Sequence, residues 1–280
     1  MAFLRSMFAS LWVALWVLSG IPSAQAQLPD DIKPVAAWTF NQSTLGLARD
    51  VASQTHHAHL LSTPRYESSP GGKALVFEGD LSRVAVADHP SLVMTDSVTV
   101  DVWTKIDDLN LPEPQTLVDK GGERYRLQVD PGGSVLFGLK NDEGRFDLTG
   151  GHIEAGKWVR LTGVFQRPSA RLYIDGVLVK QGTWDQQIGP GGDLNLGSKG
   201  GVTYFTRGQI DEVRIYREAR DPRPDDKPVT GTGSPQAGEA RMTVTEGEKG
   251  LLSIDTGAAA FTVTSEGVVS GISIGGKRVV

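Results

Sequence analysis

The sequence predicts an all-β protein, a sandwich or barrel of short antiparallel strands, and three observations support this class. Short β-type runs alternate with turn residues from about Val35 to Tyr216. Glycine accounts for 34 of the 280 residues, well above the usual share of about 7 %. No segment keeps a helical spacing of apolar residues over three turns. Many short strands at this spacing are typical of sandwiches and barrels and not of alternating strand–helix units.

The predicted strands follow one another with turn signals between them. Ser97 to Trp103 alternates, with Val98, Val100 and Val102 on one face. The other runs, in chain order, are 36–40, 74–77, 83–86, 125–129, 134–139, 158–165, 171–174 and 210–216. Asp175-Gly176 is the strongest hairpin signal, because a type I′ turn needs two residues with positive φ.

Residues 1–26 are predicted to be a secretory signal peptide. Arg5 precedes an apolar run from Met7 to Leu18, and Ala24-Gln25-Ala26 fits the small-x-small cleavage rule. The apolar run is shorter than the roughly 20 residues that span a bilayer. The alternatives are an uncleaved anchor or a buried N-terminal helix. With cleavage, the mature protein is secreted or periplasmic and has no membrane span.

Composition shifts predict the domain boundaries. The first β domain covers 27–219, and the Pro- and Gly-rich stretch 220–238 is predicted to be a semi-extended linker. Residues 239–280 again contain strand-like runs, but this segment is too short for an ordinary independent β domain. We therefore expect them to be the opening of a second β domain, the alternative being a small extension that packs back on the first.

Composition also excludes several function classes. The chain has no Cys, which excludes thiol catalysis, disulfides and cysteine-ligated metals. The net charge of −5 comes without a basic stripe, which argues against a nucleic-acid partner.

Several motifs of the first domain resemble, in the same order, those of the laminin-G-like domains of the concanavalin A-like lectin/glucanase superfamily. These motifs are Ala37-Trp38-Thr39-Phe40-Asn41, Ala74-Leu75-Val76-Phe77-Glu78-Gly79, 97–105, Gly156-Lys157-Trp158-Val159, 171–176 and Gly208-Gln209-Ile210-Asp211-Glu212-Val213-Arg214-Ile215-Tyr216. The resemblance implies an antiparallel two-sheet jelly-roll sandwich. It does not specify a function, because one fold hosts many kinds of site.

The tail is similar to the N-terminal β domain of exo-rhamnogalacturonan-lyase-like proteins. This resemblance rests on 254–257, 260–263 and 272–277. It implies that polysaccharide lyase activity belongs to a longer protein and lies beyond Val280.

We expect no catalytic residue in 27–219. Jelly-roll glucanases use carboxylates at two-residue spacing on one strand face, and a glycosidase needs a facing pair. Glu78-Gly79-Asp80 lacks the third carboxylate, and Asp211 and Glu212 point to opposite faces of a regular strand.

Calcium is the cofactor that we expect, with Asn41, Asp50 and Asp211 as ligands. The resemblance implies that the first and last strands lie together, which brings these oxygen-bearing side chains near one another. The alternative is that Asp211 caps a turn or pairs with Arg49 or Arg214. His57 and His59 share a strand side but supply only two ligands, so we interpret the histidines as structural.

Exposed aromatic rings that stack on sugars are the candidates for carbohydrate binding: Trp184, Tyr204 and Tyr66, each in a polar or Gly-rich stretch. The alternative for Trp184 is packing against the next strand, and for Tyr204-Phe205 an inward-facing ring. Three further tryptophans lie in strand motifs and are expected in the core: Trp38, Trp103 and Trp158.

The sequence therefore predicts an exported, non-catalytic recognition module that binds a glycan or polysaccharide, N-terminal to a polysaccharide-active domain. The alternative is a module for protein interaction or interdomain packing without glycan affinity. An exposed Trp184 beside a groove would favour the first hypothesis, and a broad apolar patch the second. Neither the sugar nor an oligomeric state follows from the sequence.

Overall fold

The computed structural model describes residues 32–41, 43–44, 46–61, 65–223 and 226, and the backbone of five strands between 243 and 278. The predicted signal peptide lies outside these residues. Within them, the helical structure is one 3₁₀ turn, Pro90–Leu92. This part of the chain holds no helix with the length and apolar character needed to cross a membrane.

Within the described residues, seventeen strands build the first domain. In chain order they are β1 (Ala36–Trp38), β2 (Ser43–Thr44), β3 (Leu47–Ala48), β4 (Ala58–Leu60), β5 (Arg65–Ser69), β6 (Gly72–Glu78), β7 (Val84–Val86), β8 (Ser97–Ile106), β9 (Gln115–Lys120), β10 (Tyr125–Val129), β11 (Val135–Lys140), β12 (Arg145–Gly150), β13 (Trp158–Gln166), β14 (Ser169–Ile174), β15 (Val177–Thr183), β16 (Leu194–Leu196) and β17 (Arg207–Tyr216).

The strands form two antiparallel sheets. Sheet A has the order β15-β14-β13-β8-β17-β6-β5, and β1 also pairs with β17. Sheet B has the order β12-β11-β10-β9-β16-β7-β4-β3-β2. This arrangement confirms the predicted antiparallel jelly-roll sandwich.

The core lies between the sheets and follows the two-residue period of the strands. On β8, Val98, Val100 and Val102 are fully buried, as the alternation predicts. Sheet B contributes Leu127 and Phe137, also fully buried. Each such side chain stabilises the fold by about 1.5–3 kcal/mol relative to an exposed one.

The outer face of sheet A is also largely buried, because the chain beyond β17 crosses it. Tyr173 Oη and Arg171 Nε donate to Asp221 Oδ1 at 2.7 and 2.9 Å. Arg160 Nη2 donates to Asp226 Oδ2 at 3.2 Å, and the Arg220 backbone N–H donates to Thr99 Oγ1 at 2.8 Å. The first residues of the predicted linker, as far as Asp226, are thus hydrogen-bonded to the jelly roll.

A bulge interrupts β17 at the point where the strand paired along one side of it changes from β6 to β1. Arg207 to Ile210 pair with β6, and Val213 to Ile215 pair with β1. Between these segments the register with β8 shifts after Asp211, and Glu212 has a positive φ of 48°. The bulge therefore places Asp211 at the junction of three strands.

The Asp175-Gly176 hairpin is confirmed. It joins β14 to β15 with φ values of 50° and 77°, and Ile174 pairs directly with Val177. Both positive values are those that a type I′ turn requires.

The tail forms a third antiparallel sheet, described here by its backbone. Its strands follow chain order: β18 (Thr243–Glu246), β19 (Leu252–Asp255), β20 (Ala259–Val263), β21 (Val269–Ile274) and β22 (Lys277–Arg278). Four of the five coincide closely with the strand-like runs of the sequence at 241–245, 251–254, 260–264 and 268–274.

Candidate functional site

A pocket of about 340 Å³ opens on the outer face of sheet B. The strands β7 and β16 form its floor through Ala85 and Asn195, which pair directly. Arg83, Asp193 and Leu61 also line it, and five of its remaining lining residues are glycines. Its volume lies at the small end of the range for ligand pockets.

Asn195 is the polar group at the floor of this pocket. Leu194 and Leu196 face the core and are fully buried, so the alternation of β16 turns Asn195 outward. The side chain is only 7 % exposed, and its amide makes no hydrogen bond to the part of the chain that the structure describes. The amide is not among the fully buried polar atoms without a partner, so it opens into the pocket and has the capacity to bind a ligand there.

Glycines keep the walls of the pocket thin. Gly201 has a φ of +75°, and a Cβ built there would lie 2.9 Å from Arg83 Nε and 3.2 Å from Asn195 Oδ1. A side chain on Gly121 would overlap the backbone of Gly191, and a side chain on Gly192 would overlap the backbone of Gly121. Any side chain at Gly201 would displace the two polar groups that face the ligand space.

Asp119 positions two loops beside the pocket, the loop after β9 and the loop after β16. Its carboxylate accepts the backbone N–H groups of Glu123 and Gly200, both at 2.8 Å. Burial raises the pKa of Asp119, and these two hydrogen bonds partly oppose the increase. Lys199 adds an ion pair with Glu123 at 3.0 Å, so the two loops are also joined directly.

Lys120 fixes a third loop, the one before β16 that carries Gly192. Its ammonium group, nearly fully buried, contacts Asp88 Oδ1 at 2.5 Å and donates to the backbone oxygen of Gly192. The backbone N–H of Asp88 in turn donates to Asp193 Oδ1 at 2.9 Å. Asp193 is therefore held in place at the pocket and has its second carboxylate oxygen available.

Tyr204 follows the loop that contributes Gly200, Gly201 and Val202 to the pocket. The ring is half-buried, and Lys199 Nζ lies 4.8 Å from its centroid, over one face. Tyr204 does not itself line the pocket. Of the predicted aromatic candidates, it is the one placed beside it.

Trp184 is not an exposed ring, and that expectation is wrong. It is 8 % exposed and belongs to the core. Its ring stacks on Phe146 at 6.4 Å between centroids and lies 5.8 Å from Phe165 at a tilt of 50°. The alternative, packing against neighbouring strands, is the one that the structure shows.

Tyr66 lies on β5, at the opposite edge of sheet A from the β15 end that carries Trp184. It is half-buried against the core, and its shielded hydroxyl has no hydrogen-bond partner among the described residues. The three predicted sugar-binding aromatics therefore do not form one surface.

Two of the three tryptophans expected in the core lie elsewhere. Trp38 is fully buried, and its Nε1 donates to His56 O at 2.8 Å. Trp103 and Trp158 are half-buried and belong to the outward-facing register of sheet A, which Asp101 also shares. Strand motifs identified the strands but not the face on which these rings lie.

Two of the three predicted calcium ligands, Asn41 and Asp211, accept hydrogen bonds from the same hairpin. Ser69 Oγ donates to Asp211 Oδ2 at 2.5 Å, and the backbone N–H of Lys73 donates to Asn41 Oδ1 at 2.7 Å. Ser69 and Lys73 lie in the β5–β6 hairpin. Asp211 is fully buried, and burial raises its pKa to about 6 despite the bonds from Ser69 and the Glu212 N–H.

Asp50, the third predicted ligand, is occupied by its own loop. Its carboxylate accepts Ala37 N at 3.0 Å, Ala52 N at 2.9 Å and Ser53 Oγ at 2.5 Å, and His56 Nδ1 lies 3.2 Å away. Burial opposes its ionisation, but these hydrogen bonds outweigh burial and lower the pKa to about 2.

Asn41 and Asp211 thus each accept a hydrogen bond from the β5–β6 hairpin, whereas Asp50 serves the loop after β3. Within the described ranges no three His, Cys, Asp or Glu side chains are grouped as a metal site. The calcium site stays a prediction.

The chain belongs to the concanavalin A-like lectin/glucanase superfamily. The family model Laminin_G_3 matches residues 78–223, just over half of the chain. No curated protein sequence matches it.

Solved structures share this fold at low identity. The binding domain of Paraclostridial mosquitocidal protein 1 has a TM-score of 0.57 at 14 % identity, over 67 % of this chain and 49 % of that one. The botulinum neurotoxin serotype G binding domain has a TM-score of 0.55 at 12 % identity, over 67 % and 48 %. The chain therefore spans about half the length of these two proteins.

A shorter structure is matched over almost its whole length. Domain 4 of AbnA, a GH43 extracellular arabinanase from Geobacillus stearothermophilus solved in complex with arabinotriose, has a TM-score of 0.54 at 22 % identity. The match covers 67 % of this chain and 93 % of that domain. At these identities the comparisons establish the fold.

The sequence analysis missed Arg83, Asp193 and Asn195, the polar lining of the pocket. A partial signal was present, since Gly-Gly pairs separate strands at 121–122, 191–192 and 200–201, although pairs such as 132–133 lie away from the pocket. All three pairs contribute to the pocket or support its wall.

Proposed function

We propose that the protein is an exported, non-catalytic carbohydrate-binding module, and that the pocket on sheet B is its binding site. The observation that carries the proposal is Asn195, more than nine-tenths buried, at the floor of a pocket and without a hydrogen-bond partner in the described part of the chain. A ligand that supplies both a donor and an acceptor satisfies this amide.

The rest of the lining fits a saccharide. Sugar hydroxyls both donate and accept hydrogen bonds. The pocket offers the donors of Arg83, the acceptors of Asp193 and the amide of Asn195, which can do both. Leu61 and Val202, which are 46 % and 76 % exposed, supply apolar surface for the C–H face of a sugar ring. A few fixed polar groups on an otherwise uncharged wall are the usual composition of such sites.

Two further observations support this proposal. The AbnA domain, matched over 93 % of its length, was solved with arabinotriose. The N-terminal 26 residues have the pattern of a secretory signal, which agrees with a polymer ligand outside the cytoplasm.

We also infer that the module tethers a polysaccharide-active domain, lyase-like if the resemblance of the tail holds, to its polymer. Tethering would raise the effective concentration of the enzyme at the substrate. A lyase assay on a longer product that contains this chain tests this step, with the absorbance of unsaturated products from pectic polymers as the readout. Absence of product from every pectic polymer would remove the lyase partner and leave the binding module untouched.

Binding is tested with the full chain on a glycan array, followed by calorimetric titration of the oligosaccharides that bind. Asn195→Ala removes the amide and should weaken binding about ten-fold, since it deletes two hydrogen bonds of roughly 0.5–1.5 kcal/mol each. Asn110→Ala is the matched control, because Asn110 is exposed and does not line the pocket.

The outcomes separate the two function classes. Binding that is weakened by Asn195→Ala and unchanged by Asn110→Ala, with unaltered thermal unfolding, supports the proposed site. No binding to any glycan overturns the proposal and favours protein interaction or interdomain packing. Binding unaffected by both variants keeps the module but places its site elsewhere.

A further inference from the structure

Arg83 is a cation without an anion at the pocket. No acidic side chain within the described residues lies within 4.0 Å of its guanidinium group, which makes one long contact, Nη1 to the backbone oxygen of Leu81 at 3.5 Å. Its stem is half-buried and passes over Gly201, which holds the side chain at the pocket wall.

Other shielded arginines of the domain are paired. Arg160 lies 2.7 Å from Asp101, and Arg126 lies 2.9 Å from Asp147. Among the described residues, a half-buried arginine without a carboxylate partner is therefore unusual, and an anion at Arg83 would form charge-assisted hydrogen bonds.

Asp193 gives the pocket a second, opposite charge. It lies more than 4.0 Å from Arg83, since the two form no ion pair, and the Asp88 N–H holds it in place. A ligand must accordingly present an anion to Arg83 and hydroxyl donors to Asp193. A fully anionic ligand would be repelled at Asp193, and a fully neutral one would leave Arg83 uncompensated.

We propose that the ligand is an acidic saccharide, with a carboxylate or sulfate ester bound by Arg83 and ring hydroxyls bound by Asp193 and Asn195. This inference rests on the proposed function and specifies the class of sugar. The pocket volume of about 340 Å³ accommodates one or two sugar rings, so the acidic group belongs to the ring in the pocket or its neighbour.

The probes are matched pairs of saccharides. Oligomers of glucuronate and of galacturonate are compared with their carboxyl-reduced forms, and sulfated galactose oligomers with their desulfated forms, by calorimetric titration of the full chain. We expect the acidic member of at least one pair to bind ten- to a hundred-fold more tightly, as hydrogen bonds between charged groups allow. The preference should shrink with added NaCl.

Arg83→Gln should abolish the preference, so that the acidic and the neutral member of each pair bind with equal affinity. Arg83→Lys should restore part of the preference for the acidic member, because lysine keeps the charge but cannot bind a carboxylate in bidentate geometry. Arg207→Gln is the matched control, since Arg207 is exposed, has no ion pair in the described part of the chain and does not line the pocket. It should keep the full preference.

Failure of this inference differs from failure of the proposed function. Equal binding of both members of every pair, or a preference that survives Arg83→Gln, overturns the acidic-sugar assignment and leaves the module standing. Absence of binding by every acidic and neutral saccharide overturns both.

Discussion

Arg160 and Asp101 form a doubly hydrogen-bonded ion pair across β13 and β8. Arg160 Nε donates to Asp101 Oδ1 at 2.8 Å, and Nη2 donates to Oδ2 at 2.7 Å. Thr162 Oγ1 donates to the same carboxylate at 2.8 Å. Both charged side chains are at most 3 % exposed, so the pair is buried on the face of sheet A that points away from the core.

Breaking this pair should destabilise the domain strongly. Asp101→Asn leaves the buried Arg160 guanidinium group with Asp226 as its ion-pair partner among the described residues, and we expect a loss of about 3 kcal/mol in the free energy of unfolding. Urea denaturation at pH 7 measures it. Glu154→Gln is the control: Glu154 pairs with Lys157 and both are 67 % exposed, so the change should stay below about 0.5 kcal/mol. Equal small losses would contradict the prediction.

Asp226 should contribute to stability against acid. Burial opposes its ionisation, but the bonds from Arg220 and the Arg223 N–H and the charge of Arg160 outweigh burial and lower its pKa to about 2. Because this pKa is below the unfolded value, the stabilisation is present above about pH 4 and is lost as pH falls toward 2.

The Asp226→Asn variant should remove this acid dependence. Between pH 4 and pH 2, wild-type stability should fall more steeply than that of the variant by roughly 1–2 kcal/mol, a value reduced for solvent screening. Chemical denaturation at several pH values measures the difference. Parallel curves would mean that Asp226 does not hold the chain against sheet A in solution.

Trp184 should contribute to stability and not to sugar binding. Trp184→Ala leaves a cavity beside Phe146 and Phe165 and should destabilise by about 3–5 kcal/mol. Trp184→Phe keeps most of the packing, so that variant should fold and bind glycans like the wild type. A folded Trp184→Phe protein that has lost glycan binding would restore the stacking hypothesis.

Gly201→Ala should block the pocket. The added methyl group meets Arg83 and Asn195, so glycan binding should fall at least ten-fold. Gly156→Ala is a close control, because Gly156 has nearly the same φ, +73°, and open space around it. Both variants should lose about 1–2 kcal/mol of stability from the left-handed backbone, whereas only Gly201→Ala should lose binding. Loss of binding in both would indicate an indirect effect.

Strands with an apolar, alternating face were predictable from the sequence, whereas several others were not, β9 and β16 among them. β10 was placed at Tyr125–Val129 without error, since three of its residues form an apolar face. β9 contains Gln115, Asp119 and Lys120, yet all of its residues are buried. A strand whose polar face is covered by loops lacks the alternation that sequence analysis detects.

The site was less predictable than the fold for the same reason. Whether an aromatic ring is exposed depends on residues far from it in the sequence. Trp184, for example, is covered by Phe146 and Phe165, which lie on other strands. Asn195 and Asp119 are direct neighbours in the sheet although 76 residues separate them in sequence. Only the Gly-Gly pairs carried local information about the pocket.

Calcium should stabilise the protein through Asp211 if the metal prediction holds. Asp211 is fully buried and its raised pKa reflects the cost of its charge, which a bound cation would offset. At saturating calcium we expect a thermal midpoint about 2–8 °C higher than in chelator, as a binding energy of about 1–2 kcal/mol gives for a domain of this size. Asp211→Asn should abolish the shift. Asp142→Asn, whose side chain is 81 % exposed in the wild type, should retain it. An identical midpoint with calcium and chelator, or a shift that persists in Asp211→Asn, would leave Ser69 as the carboxylate's partner and remove calcium from the account of this domain.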